Sequence, residues 1–127
     1  MICGLGVDLV KVQRLAEALE RYGDAFARKV LSAPEMHDYE TSAIPERLIA
    51  KRFAAKEAFV KALGTGIGAS AAWHDIRIIH DGQGRPGFEI SGKAAQTMER
   101  LGATTHHLSL SDEQEYVVAV AVLENPG

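Results

Sequence analysis

R-F-A-A-K-E-A-F-V-K-A-L-G-T-G-I-G, the stretch from Arg52 to Gly68, decides the fold. It is rich in alanine, carries two phenylalanines and a leucine, and has no proline or glycine before Gly64. It therefore reads as a strong helix that a glycine ends. At about 100° per residue, Leu48, Ile49, Phe53, Ala55, Phe59, Val60 and Leu63 cover most of the circumference. The helix is expected to run from Pro45 to Leu63 and to be buried on nearly all sides, with Pro45 tolerated in its first turn. Yet Glu57 and Lys61 fall four residues apart on one face, beside Ala50 and Ala54. Ionisable groups on a core helix cost solvation unless something compensates them. Small neighbours leave a slot in which a ligand does so.

Working outward, residues 2–8 alternate apolar residues with glycine and read as a short strand with Asp8 at its C-terminal lip. Residues 11–22 form an amphipathic helix with Val12, Leu15, Ala16, Leu19 and Tyr22 inward, stopped by Gly23. Lys11, Arg14, Ala18 and Arg21 line its opposite face. A short helix follows over 24–31, then a helical turn over 35–40 in which Ser32 and Glu35 form a capping box. Gly64 to Ala72 is a loop. Strands are expected at 74–80 and 88–90 around the turn D-G-Q-G-R-P-G, and at 106–111 and 116–123 as a hairpin, with a helix over 92–101 between the pairs. The fold class is α+β: an antiparallel β-sheet packed against helices, the Glu57 helix buried at the centre, in one domain over 1–127.

Composition narrows the function. The chain has 127 residues, 46% hydrophobic and 24% charged, and a formal net charge of −3. That is ordinary for a globular domain and gives no basis for nucleic-acid binding. No apolar run approaches a membrane span, and Asp8 falls too early for a signal-peptide core, so a cytoplasmic protein is expected. Cys3, the single cysteine, cannot form an internal disulfide and is expected to be buried. A chain of this size is short for a deep cleft of its own, which a site shared between subunits would solve.

Asp8 and Glu57, if brought together, repel and require a cation or a shared proton. Oxygen-only ligands favour a hard ion such as magnesium, which keeps waters and takes phosphate oxygens as further ligands. Lys61, one turn beyond Glu57, would then neutralise a bound phosphate. Spacing alone favours an intrahelical Glu57–Lys61 pair with Asp8 capping the next helix. G-T-G-I-G follows a helix rather than a strand, so it reads as a helix stop and not as a phosphate loop. His107, Ser109 and Ser111 share a strand face, but no glycine elbow or spaced triad accompanies them. The basic stripe, opposite in sign to the net charge, suits docking of an acidic partner.

Taken together, G-L-G-V-D at 4–8, F-A-A-K-E-A-F-V-K-A-L-G at 53–64 and H-L-S-L-S-D at 107–112 resemble the phosphopantetheinyl transferases, in particular the small holo-acyl-carrier-protein synthase type. The resemblance runs nearly end to end. It implies the fold of that family and transfer of 4′-phosphopantetheine from coenzyme A to a serine of apo acyl carrier protein, releasing adenosine 3′,5′-bisphosphate. It implies Mg²⁺ held by Asp8 and Glu57, and Lys61 on the pyrophosphate. Arg52, His107 and the turn Gly84-Arg85-Pro86 match positions that face the nucleotide, in clefts between subunits of a homotrimer. Arg14 and Arg21 match positions that dock the acidic carrier protein. Where the family often has two basic residues for the 3′-phosphate, I-P-E-R offers only Arg47. A broader transferase serving polyketide or peptide synthase carrier domains and a non-catalytic trimeric binding module are the alternatives.

Overall fold

A computed structural model describes all residues, Met1–Gly127. The chain runs β1 (Ile2–Lys11), α1 (Val12–Tyr22), α2 (Asp24–Val30), α3 (Ala33–Glu40), α4 (Pro45–Leu63), a 3-10 turn (Trp73–Asp75), β2 (Ile76–His80), β3 (Pro86–Ile90), α5 (Gly92–Leu101), β4 (Thr105–Asp112) and β5 (Tyr116–Glu124). The strands fall into two antiparallel sheets rather than one: β1-β5-β4, with β5 central, and the separate hairpin β2-β3. No helix is long and apolar enough to cross a membrane.

α4 is the axis of the molecule. Eleven of its residues, from Ile49 to Leu63, are buried, and Gly64 closes it in the left-handed conformation (φ 81°) with its N–H on the carbonyls of Val60 and Lys61. Strand β1 lies directly against it. A Cβ on Gly6 would sit 2.0 Å from the Ala58 carbonyl oxygen, and one on Gly4 would sit 2.4 Å from that of Ala62. The glycines of G-L-G-V-D thus let strand backbone touch helix backbone, and alanines on α4 present the matching surface. Ala50 and Ala54 are themselves fully buried, so no slot opens beside them as expected.

Strand β1 continues to Lys11, three residues beyond the expected lip, because Leu9 and Val10 keep pairing with Val118 and Val117. Asp8 is therefore inside the strand, opposite Ala119, and caps no helix. Period-two alternation places Gly4, Gly6, Asp8 and Val10 toward α4 and Leu5, Val7 and Leu9 outward. Those three remain 65%, 55% and 63% exposed. Val118, Val120 and Val122 share this outer face, with β4 contributing His107, Ser109 and Ser111 beside them. The face is apolar on its β1 side and nothing in the chain covers it.

Two smaller expectations change. Tyr22, expected inward, is exposed, with the Arg21 guanidinium over its ring at 5.4 Å. It sits in the last helical position, where the chain turns away at Gly23. Cys3 is half-buried at the rim of the core rather than within it.

Candidate active site

Three of the residues singled out from sequence meet where β1 crosses α4. The Lys61 Nζ donates to Asp8 Oδ1 at 2.9 Å and to the Val7 carbonyl at 3.1 Å. The Asp8 side chain is 13% exposed and that of Lys61 50%. Asp8 Oδ2 is buried and accepts no hydrogen bond. An acceptor left dry and unpaired costs about 1–3 kcal/mol, so it marks a place where the fold has not been optimised for itself. Burial, and then the neighbouring Asp8 charge, push the Glu57 carboxyl above its ordinary value, against the pull of Lys61. The Asp8 charge is thus felt at Glu57, while Lys61 pairs with Asp8. No third His, Cys, Asp or Glu joins them, so a bound cation would take its remaining ligands from water or substrate. The donor set, hard oxygens with one orphaned, fits such an ion.

The remaining sequence candidates lie elsewhere. Arg52 projects from another side of α4 and is buried, its Nη1 3.6 Å from Glu35 and 3.5 Å from Asp38. It lines a cavity of about 360 Å³ with Arg47, Lys51 and His80. Burial, and then the Arg52 charge, hold His80 below its usual range. Arg47 is already committed: its guanidinium donates to the carbonyls of Glu113 and Gln114 at 2.6 and 2.7 Å and to Asp112 at 3.2 Å, fastening the β4–β5 turn to the start of α4. Lys51, 3.6 Å from Asp112 and half-exposed, is the freer cation.

Gly84, Arg85 and Pro86 shape the β2–β3 turn, where Asp81 Oδ1 accepts the N–H groups of Gln83 and Arg85 and Gly84 has φ 83°. His107 stands on the outer face of β4, hydrogen-bonded to Glu124. Since Asp8 points to the inner face, one chain cannot turn both toward the same ligand from opposite sides of its sheet. Arg14 and Arg21 are exposed on α1.

Two residues were not anticipated as a pair. Lys56 is 0% exposed and Glu35 1%, and their charged atoms are 2.6 Å apart. Glu35 had a visible task as the capping-box residue of α3, so nothing in its local sequence signalled a second one. Lys56 lies within the same all-round helix that made Glu57 conspicuous, and that was the available signal.

Against known proteins, residues 4–121 match the family model of the 4′-phosphopantetheinyl transferase superfamily. The holo-[acyl-carrier-protein] synthase of Nitrosomonas europaea is 49% identical over 124 residues, covering 98% of this chain and 99% of the relative. The crystal structure of the Neisseria meningitidis holo-[acyl-carrier-protein] synthase superposes with a TM-score of 0.93 at 38% identity, covering 98% of this chain and 100% of that one. The Bacillus anthracis holo-(acyl-carrier-protein) synthase in complex with CoA (3′,5′-ADP) gives 0.82 at 33% identity, covering 98% of each chain. Since the match spans both the β1 glycines and α4, the contact that brings Asp8 to Lys61 lies inside the shared region, and the chain belongs to the 4′-phosphopantetheinyl transferase superfamily.

Proposed function

We propose that the chain is a holo-acyl-carrier-protein synthase. It transfers 4′-phosphopantetheine from coenzyme A to a serine hydroxyl of apo acyl carrier protein and releases adenosine 3′,5′-bisphosphate. The observation that carries this reading is the buried Asp8 Oδ2 with no partner, on a side chain that pairs with the Lys61 ammonium and lies within electrostatic reach of Glu57. In the reaction the serine oxygen forms a bond to the phosphorus next to pantetheine while the bond to the bridging oxygen breaks. The serine proton leaves to a carboxylate of the pair or to water. Lys61 lies where it would offset charge on the departing phosphate oxygen. Asp8 and Glu57 would hold Mg²⁺, which supplies charge neutralisation on the diphosphate when bound. Arg52, with Lys51 and His80 around the same cavity, would meet the phosphates of the nucleotide end, Lys51 taking the 3′-phosphate that I-P-E-R alone does not provide for.

A homotrimer completes the site. The open cavities include none of Asp8, Glu57 or Lys61, and His107 faces outward among Leu5 and Val122. Packing these apolar sheet faces together would remove Leu5, Val7 and Leu9 from water and bring the partner's β4 face and β2–β3 turn toward a neighbour's α4. In that arrangement His107 and Gly84-Arg85-Pro86 would contact coenzyme A bound across the interface. Arg14 and Arg21 would dock the acidic carrier protein. The reading places the enzyme in the cytoplasm. Mass spectrometry of apo acyl carrier protein after incubation with the enzyme, coenzyme A and Mg²⁺ tests it. A gain of one phosphopantetheine is expected; an unchanged carrier mass with bound coenzyme A would favour a non-catalytic binding module.

A further inference from the structure

The Lys56 ammonium is saturated. It donates to Glu35 Oε1 and the Val30 carbonyl, each at 2.6 Å, and to the Trp73 carbonyl at 3.2 Å. Three donors thus meet three acceptors, from the end of α2, from α3 and from the 3-10 turn. Glu35 extends the reach. Its Oε1 also accepts from the N–H and hydroxyl of Ser32, and its Oε2 accepts the Ile78 N–H of β2 at 3.1 Å. Five segments are therefore tied through one buried ion pair, and its α4 member is the residue immediately before Glu57.

Stability alone does not call for this arrangement. A buried ion pair is generally no more stabilising than apolar side chains of the same volume, because desolvation offsets the attraction. Directed bonds restrain an angle more narrowly than apolar packing alone. The backbone contact of β1 with α4 at Gly4 and Gly6 sets how close the helix lies, and the directed bonds of Lys56 add a restraint on its rotation. A side-chain tip sits roughly 6 Å from the helix axis, so a 20° rotation of α4 would carry the Glu57 carboxylate by about 2 Å. Displacements of that order at a reacting centre cost about 10²-fold in rate.

We propose that the buried Lys56–Glu35 pair is a positioning device for the reaction: it locks the rotation of α4 so that Glu57 faces Asp8. The inference rests on the Asp8–Glu57 pair being the reactive one. Lys56 touches no substrate and acts through Glu57.

The test separates rotation from stability. Lys56→Met/Glu35→Leu replaces the pair by apolar groups, and Glu35→Gln keeps the acceptor toward Lys56 and Ser32 while giving up the bond to Ile78. Melting temperature, kcat, the KM values for coenzyme A and carrier protein, and Mn²⁺ affinity are measured for each. The double variant leaves the Ser32 and Ile78 N–H groups and the Val30 and Trp73 carbonyls without these partners, so it is expected to melt below the wild type and to lose about tenfold or more in kcat and in Mn²⁺ affinity, with KM for the carrier unchanged. Glu35→Gln is expected to melt lower yet keep kcat within about threefold, since the angle of Lys56 is retained. Wild-type kcat and Mn²⁺ affinity in the double variant overturn the proposal. If the double variant does not fold, Lys56→Gln takes its place, and wild-type kcat and Mn²⁺ affinity in that folded variant overturn the proposal. Mn²⁺ affinity tests positioning even if no carrier is modified, so failure of the proposed reaction is distinguishable from failure of this inference.

Discussion

Residues 56 and 57 of α4 are neighbours with opposite fates. Lys56 is fully buried and every donor of its ammonium is used. Glu57 is only partly buried, its carboxyl is driven toward the neutral form, and its companion Asp8 keeps one oxygen with no partner. Both clusters sit on one helix, and both cost desolvation. The difference is who completes them. The Lys56–Glu35 cluster is closed by the protein itself and so serves the fold. The Asp8–Glu57 cluster keeps an unpaired acceptor on an edge strand, as the proposed cation and phosphate site would require.

The comparison breaks most visibly at the open cluster. Asp8→Asn should raise the barrier to phosphopantetheine transfer by about 3 kcal/mol or more, roughly 10²-fold in rate, while leaving the melting temperature unchanged or higher. Steady-state kinetics beside a thermal melt checks both halves, and full activity would remove Asp8 from the chemistry. Next in size is the contact that builds the cluster. Gly6→Ala drives a methyl group into the Ala58 carbonyl, and should cost about 1–3 kcal/mol or more in denaturant unfolding, with activity falling as β1 is pushed from α4.

The closed cluster shows itself in acid. Burial raises the Glu35 carboxyl, but the Lys56 charge and hydrogen bond, with the N–H groups of Ser32 and Ile78, outweigh it and hold the group below its ordinary value. A depressed carboxyl stabilises the fold above the unfolded glutamate value, and the contribution is lost as pH falls through the folded one. Denaturant midpoints should therefore drop below the ordinary glutamate range in the wild type and drop less in Glu35→Gln. A parallel fall in both would assign the acid limb to other groups. The smallest effect is the most remote: Arg14→Glu on exposed α1 should raise the carrier-protein KM about fivefold, less at high salt, with coenzyme A binding intact.

Much of this was legible in the sequence. Pro45 and Gly64 mark the ends of α4, Glu57 and Lys61 are readable because charges on a core helix are conspicuous, and Asp8 because it follows an apolar–glycine alternation. Strand β1 runs three residues past its expected end at Asp8, because Leu9, Val10 and Lys11 pair with Val118, Val117 and Tyr116, distant partners that leave no local sign. The two-sheet topology was hidden too, since pairing partners far apart in sequence leave no local trace. Lys56 escaped for a similar reason. A buried lysine is recognisable only with its acceptors, which come from Val30, Glu35 and Trp73. Arg52 pointed toward a nucleotide by resemblance, and the cavity it lines with Lys51 and His80 adds a cation and an imidazole that spacing did not flag.

The account stands most directly on whether the open cluster takes a divalent cation. Electron paramagnetic resonance of free Mn²⁺, titrated with the protein in the presence of coenzyme A, measures this without any turnover. The wild type should deplete the free signal, and Asp8→Asn/Glu57→Gln should leave it unchanged. Equal depletion by both proteins would contradict the account.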